Sequence, residues 1–383
     1  MKKILLLLMT AFMCSSCAKA ETDPDPDPDP QPEESKIATA PCNANATAEA
    51  KALYTLLYSQ YGKKSLSATV ACVDWNIDEA QIVHNWTGKW PCINVFDYIN
   101  IHASKDVNPT GWLDYSDMTV VNDWHKAGGI VGCMWHWQVK ANDGNNYTCS
   151  PGTASGETDF DPECINDKSS ADYKQLIKDL DQVAGYLKTM QKNGIAVIWR
   201  PLHEGSGNTV QYKGGKAWFW WGAKGAAAYR NLWRFIYDYF VNQKGLNNLI
   251  WVWNSQTAFS GGNVVTDYSA TDDAGNWYPG DDVVDIIGRD NYDALYYPLS
   301  KEFKQLQSEH PTKMVTLAEC GNGDVDDMSN YSLIWKQGGQ WSWFMPWYDS
   351  SYQKGSDEHR YADKAWWLDA FNSGVVLSRD DIK

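Results

Sequence analysis

Glu204 and Glu319 each close an apolar run of the kind that forms a strand covered on both faces, Ile195–Glu204 and Met314–Gly321. A carboxylate at the C-terminal end of a parallel strand stands where a (β/α)₈ barrel gathers its reactive groups. Two such groups on different strands suit hydrolysis of a glycosidic bond. Cleavage with retention needs one carboxyl as acid/base and a second as nucleophile, about 5–5.5 Å apart. If the two runs are the fourth and seventh strands of a barrel, their end carboxylates face each other across its mouth. The acid must be protonated at neutral pH, which apolar walls and the charge of the other carboxylate favour. The nucleophile must stay ionised, and Arg200 and Tyr292 are the available donors. On a regular strand Arg200 points to the same side as Glu204. His136, inside Trp135-His136-Trp137, adds a titratable ring at the end of another apolar run.

Eight short apolar runs must position these groups: Ser65–Cys72, Cys92–Asn100, Gly129–Trp137, Ile195–Glu204, Leu249–Ser255, Val284–Tyr292, Met314–Gly321 and Trp341–Tyr348. Between the third and fourth, Tyr173, Leu176, Ile177, Leu180, Val183, Ala184, Leu187 and Met190 recur at helical spacing, and Asn193-Gly194 ends that helix. Between the fourth and fifth, Tyr229, Leu232, Trp233, Ile236, Tyr237 and Phe240 do the same, closed by Gly245. Leu299, Phe303 and Leu306 mark a helix over Pro298–His310. Strand and helix alternating eight times predict an α/β fold, a (β/α)₈ TIM barrel. The alternative, an open doubly wound sheet, calls for a Gly-rich phosphate turn after the first strand. Ala71-Cys72-Val73-Asp74-Trp75-Asn76 is not one. Long loops follow the third, fourth and fifth runs, on the face where barrels build their sites.

A formal net charge of −15 over 383 residues argues against a nucleic-acid partner. The chain holds 21 Trp and 21 Tyr against 10 Phe, a bias toward flat amphipathic rings that pack in cores and also stack on sugars. No CxxC spacing or dense His/Cys cluster points to a metal, and no cofactor is expected.

Trp199-Arg200-Pro201-Leu202-His203-Glu204 followed by Ala217-Trp218-Phe219-Trp220-Trp221-Gly222 closely resembles the acid/base region of glycoside hydrolase family 26. Asp290-Asn291-Tyr292 on the sixth run and Ala318-Glu319-Cys320-Gly321 on the seventh match the same family. The likeness runs from about Thr47 to the C-terminus. It implies a retaining (β/α)₈ enzyme, an endo-β-1,4-mannanase acting on mannan, glucomannan or galactomannan, with Glu204 as acid/base and Glu319 as nucleophile. By the same resemblance His203 fixes the acid/base and contacts sugar, and Trp218 is the leaving-group-side platform. Trp347 is then the floor under the reacting sugar, and Asp290 and Tyr292 are substrate contacts. His136 joins them as a candidate at the same mouth, whereas Trp220 and Trp221 read as packing. Mannanases often carry Arg after that floor Trp; here Tyr348 follows, so the resemblance does not carry the distal glycone subsite over. Relatives that cut β-1,3-xylan or mixed-linkage β-glucan share these motifs. A glycan-capturing lipoprotein that binds without cutting is the alternative from another class, set against it by the survival of both carboxylates.

Met1-Lys2-Lys3 and the apolar stretch Ile4–Met13 read as a signal segment over 1–16. Ser15 and Ser16 precede Cys17 as in bacterial lipoproteins, and four Asp-Pro repeats over Asp23–Pro30 read as an extended tether. The expected organisation is a lipid-anchor site and tether over 17–40, then one catalytic domain over 41–383. Such a chain is an exported outer-membrane lipoprotein, facing the cell surface or else the periplasm. It is a monomer that meets the membrane only through its lipid; an unlipidated disordered N-terminus is the alternative. Beyond Cys14 and Cys17, seven of the nine cysteines remain. Cys149 and Cys164 bracket a polar loop that a disulfide could close, and Cys42 could pair with Cys92 or Cys72.

Overall fold

A computed structural model describes residues 36–73, 75–210, 214–260, 263–292, 299–321 and 330–383. The signal segment, Cys17 and the Asp-Pro repeats lie outside the described residues. Ile37–Lys383 forms one compact unit. It begins inside the segment read as tether: the Ala38 N–H donates to the Thr312 carbonyl (2.9 Å), and the Ala38 carbonyl accepts from the Tyr54 hydroxyl (2.9 Å).

Eight parallel strands close into a barrel: β1 Ser65–Val70, β2 Ile93–Asp97, β3 Ile130–Met134, β4 Val197–Arg200, β5 Leu249–Ser260, β6 Ile286–Asn291, β7 Met314–Cys320 and β8 Trp343–Pro346. Each pairs with the next in order, and β8 returns to β1 with Leu66 opposite Trp343. Closure removes the open-sheet alternative. Every strand lies within its apolar run except β5, which runs on to Ser260 and pairs antiparallel there with Asn263–Thr266.

The helices are α1 Ala48–Gln60, α2 Asp78–Thr87, α3 Thr119–Lys126, α4 Ala171–Lys192, α5 Ala226–Asp238, α6 Leu299–Glu309, α7 Tyr331–Lys336 and α8 Lys364–Asn372. Ser170 caps α4 through the Tyr173 N–H, and Leu176, Leu180, Val183, Leu187 and Met190 form its buried stripe. The helix expected to reach Gly245 is regular only to Asp238; Tyr239–Gln243 continues it as one wider π turn.

Two apolar layers result. One fills the space between strands and helices. The other fills the barrel with Leu66, Ala68, Ile93, Val95, Ile198, Ile250, Val252, Ile286 and Met314, and continues into Ala50, Leu53 and Leu57 of α1. Strand side chains alternate faces, so the inward rows run on to Asp97, Arg200, Asn254 and Asp290. Thus the apolar barrel interior ends at a polar layer near the strands' C-termini.

The expected disulfides do not form, since all seven cysteines of the described residues are free. The Cys149 carbonyl accepts the Trp220 N–H (2.8 Å), so backbone bonding and packing hold that loop instead. Cys164 sits buried in the turn Pro162–Asn166. Cys42 Sγ lies 3.7 Å from the Tyr237 hydroxyl and Cys92 Sγ 3.1 Å from the Leu377 carbonyl. Burial pushes the Cys92 thiol up to about 12, which leaves it inert.

Candidate active site

Glu319 reaches the barrel mouth through an irregularity. On β7, Leu317 pairs with Arg289 and Glu319 with Asp290, so the register shifts across Ala318. Val315 and Leu317 pack outward with the helix layer. Without the bulge Glu319, two residues further on, would follow them; the extra residue turns it inward. There Arg200 pairs with one carboxylate oxygen and the Tyr292 hydroxyl donates to the other at 2.6 Å. The same guanidinium donates to Asp290 (3.3 Å) and Asn254 (3.2 Å), and the Asn254 amide donates to Asp290 (2.7 Å). Burial and the Glu319 charge push the Tyr292 phenol well up, so it stays a hydrogen-bond donor.

Glu204 is not on a strand. Pro201 has no N–H for the ladder, and β4 stops at Arg200. Leu202 (φ 49°) and Glu204 (φ 51°) take the left-handed conformation, which costs a non-glycine residue on the order of 1–3 kcal/mol. Surrounding groups hold this turn in place. The Tyr229 hydroxyl donates to the Leu202 carbonyl (2.8 Å) and Trp221 Nε1–H to the His203 carbonyl (2.9 Å). A Cβ on Gly222 would stand 1.9 Å from the Gly205 carbonyl oxygen, so only glycine admits this approach. The turn therefore delivers the carboxyl to the place that a regular strand end was expected to reach.

Burial raises Glu204 well above the usual carboxylate range, Asp290 and Glu319 raise it further, and Arg200 opposes them. Burial followed by the Glu319 charge also raises Asp290, against Arg200 and Asn254. Arg200 is already paired to Glu319 and Asp290, so ionisation of Glu204 beside them would add a further negative charge with no ion-pair partner of its own. Glu204, which has no ion pair with Arg200, is the carboxyl that these surroundings favour in its protonated form.

A carboxyl with a raised folded pKa binds its proton more tightly in the folded state. The stability that this contributes is present below the unfolded pKa and lost as pH rises through the folded one. Glu204→Gln removes the ionisation, so its melting temperature relative to wild type should climb as pH is raised from the unfolded carboxyl value toward the higher folded one. Melting curves across that range check it, and a constant difference would contradict the protonated assignment.

His203 and His136 meet Nε2 to Nε2 at 3.1 Å, and His136 Nδ1 lies 2.6 Å from Asp97. Burial and then His136 push His203 well below the ordinary histidine value. Burial works the same way on His136, but Asp97 and then Glu319 overcome it and raise the ring. Phe219 packs against His203 (5.0 Å between centroids) and stacks on Trp221 (4.5 Å). The Trp347 ring stands edge-on to His136 at 5.8 Å. Trp218 is 40% exposed, whereas Trp220 and Trp221 are buried packing.

Glu204, Glu319, Asp290, Tyr292, His136, His203 and Trp347 thus gather through direct contacts and mutual charge effects at one mouth, with Trp218 on an exposed stretch of the loop after β4. Asp97, Asn254 and Phe219 were missed. Asp97 and Asn254 end the apolar stretches of β2 and the first half of β5, the same signal that singled out Glu204 and Glu319. Phe219 sat in view inside the aromatic motif. One protonated carboxyl, one ion-paired carboxylate and flanking rings are what acid-assisted displacement at a sugar carbon needs.

Residues 42–381 match the family described as Glycosyl hydrolase family 26. A mannan endo-1,4-beta-mannosidase of Thermothelomyces thermophilus is 33% identical over 87% of this chain and 61% of its own length. Mannan endo-1,4-beta-mannosidase A of a Piromyces species is 30% identical over 87% of this chain and 48% of its own. The chain therefore spans only about half to three-fifths of these curated relatives. Among solved structures, the GH26 domain of a Prevotella bryantii endo-beta-mannanase/endo-beta-glucanase superposes with a TM-score of 0.77 at 36% identity. It covers 90% of this chain and 100% of that domain. A beta-mannanase from a symbiotic protist of the termite Reticulitermes speratus, solved with a gluco-manno-oligosaccharide, gives 0.70 at 28% identity, covering 91% of this chain and 98% of its own.

Proposed function

The chain belongs to glycosyl hydrolase family 26, and from that premise we propose that it is a retaining endo-β-1,4-mannanase acting on mannan, glucomannan or galactomannan. The observation that carries the reading is the division of labour between two carboxyl groups. Glu319 is ion-paired to Arg200 and bonded by Tyr292, while Glu204 is raised by burial and by its acidic neighbours. Glu204 gives its proton to the glycosidic oxygen as Glu319 attacks the anomeric carbon. The bond to the leaving chain breaks with its electron pair going to that oxygen, and a glycosyl ester forms on Glu319. Water then attacks the same carbon, Glu204 takes its proton, and the ester bond breaks to return Glu319 as carboxylate. Trp347 and Trp218 serve as sugar platforms, and His136, His203, Asp290 and Tyr292 as polar contacts. The curated relatives' names and the neighbour solved with a gluco-manno-oligosaccharide support the substrate class.

Galactomannan, mixed-linkage β-glucan and β-1,3-xylan offered side by side should give rapid chain shortening of the galactomannan alone. Proton NMR of the first products should show the β anomer. Preferential cutting of β-glucan or xylan would move the substrate assignment, an initial α signal would end the retaining mechanism, and binding without products would leave a capture protein. We propose also that Cys17 carries a lipid and that the Asp-Pro tether, roughly 25 Å long over its eight residues, holds the enzyme outward on the cell surface as a monomer. Cys17→Ala should release activity from the detergent phase; unchanged partitioning would remove the anchor.

A further inference from the structure

Asp97 ends β2 on an inward row, and both of its oxygens are committed to His136. Oδ1 accepts the His136 backbone N–H at 3.0 Å, and Oδ2 faces the ring Nδ1 at 2.6 Å. The opposite ring nitrogen meets His203 Nε2 at 3.1 Å, and His203 directly precedes Glu204 in the left-handed turn. His203 Nδ1 is buried with no hydrogen-bond partner among the described residues.

A nitrogen-to-nitrogen hydrogen bond holds one proton, so the tautomers of the two rings are coupled. A carboxylate opposite Nδ1 requires His136 to carry its proton there. In the neutral pair His136 Nε2 is then the acceptor and His203 Nε2–H the donor. What remains buried and unpaired on His203 is a lone pair, which proteins tolerate more readily than an orphaned N–H.

Resting on the reading of Glu204 as acid/base, we propose that Asp97 is a positioning residue. It sets the tautomer of His136, through it that of His203, and so fixes the ring beside the proton-donating carboxyl. The charged and titratable groups facing His136 are Asp97 from β2, Arg200 from β4, Glu319 from β7 and His203 from the turn. Phe219 and Trp347 are its neutral walls. Of these groups Asp97 alone accepts from His136 Nδ1, so the tautomer is its to set.

Asp97→Asn keeps the side chain's shape and the acceptor for the backbone N–H but turns an amide NH₂ toward Nδ1. His136 must then accept at Nδ1 and hold its proton on Nε2. His203 Nε2 must accept in turn, and the His203 proton is driven to the buried, partnerless Nδ1. Displacement of that ring moves Glu204, so kcat on mannan should fall on the order of 10²-fold, with KM changed less, since only the two histidine contacts are altered while the Trp platforms, Asp290 and Tyr292 are not. An aryl mannoside with a good leaving group, which needs little protonation, should lose much less rate. Ring-nitrogen NMR of histidine-labelled protein, recorded where both rings are neutral, should show the proton on Nδ1 of His136 and Nε2 of His203 in the wild type. Both should be exchanged in Asp97→Asn.

A wild-type His136 protonated on Nε2, or an Asp97→Asn enzyme with undiminished kcat on mannan, overturns the proposal. An equal loss on mannan and aryl mannoside also overturns it, because that is what general destabilisation would give. Should Asp97→Asn not fold, the wild-type spectrum still decides. A wild type that cuts no mannan would sink the functional reading, while the same spectrum would still decide the tautomers.

Discussion

Replacing Glu319 by alanine should lower mannan turnover on the order of 10⁵–10⁶-fold, a loss of the size seen when a covalent nucleophile is removed. Affinity for the polysaccharide should stay close to wild type. In the proposed mechanism the nucleophile acts on the reacting carbon, whereas ground-state binding would come from the other sugar contacts. Loss of Glu319 also leaves Arg200 with Asp290 as its one remaining ion-pair partner among the described residues, so some destabilisation should accompany the change. Turnover well above that floor would mean that another carboxylate attacks the sugar. Asp290, one strand away and paired to the same guanidinium, would be the next suspect.

Glu204→Ala should separate substrates according to what their leaving groups need. On mannan, loss of the proton donor should cost on the order of 10²–10⁴-fold. An aryl mannoside with an acidic phenol leaves without help, so its glycosyl-enzyme should still form, and the second step becomes limiting because no base activates water. Azide requires no deprotonation. It should attack the anomeric carbon, displace Glu319 and accelerate turnover, giving β-mannosyl azide as product. Equal losses on both substrates with no response to azide would reduce Glu204 to a structural residue of its turn.

Much of this architecture is legible in the amino-acid sequence. Largely apolar runs locate all eight strands because a parallel strand buried on both faces has little room for polar residues, and the few it carries, such as Ser67, Asn94 and Thr316, are themselves buried. Glu204 and Glu319 stand out by lying at the ends of such runs, but the routes by which they converge are not visible there. Glu319 depends on a bulge at Ala318 that reverses the parity of β7, and nothing in Met314–Cys320 marks an unpaired residue. Glu204 depends on a left-handed turn whose only clue is Pro201. The Tyr229 and Trp221 bonds that hold the turn come from residues that also read, correctly, as core. Asp97 was missed although it meets the strand-end criterion, because a carboxylate without a recognised motif around it carries little weight alone. The disulfide expectation failed because cysteine spacing around a loop says nothing of Cα separation, and the segment found other closures in backbone bonds and buried tryptophan.

In the proposed mechanism Glu319 forms the covalent bond to the sugar while Glu204 handles the proton. An activated 2-deoxy-2-fluoro-β-mannobioside should trap the intermediate, because the fluorine slows its hydrolysis more than the leaving group slows its formation. Intact-mass analysis should show one added glycosyl unit per chain, and fragmentation of the digested protein should place it on Glu319, with no labelling in Glu319→Ala. A label on Asp290 or Glu204, or an active enzyme that never acquires one, would contradict the account.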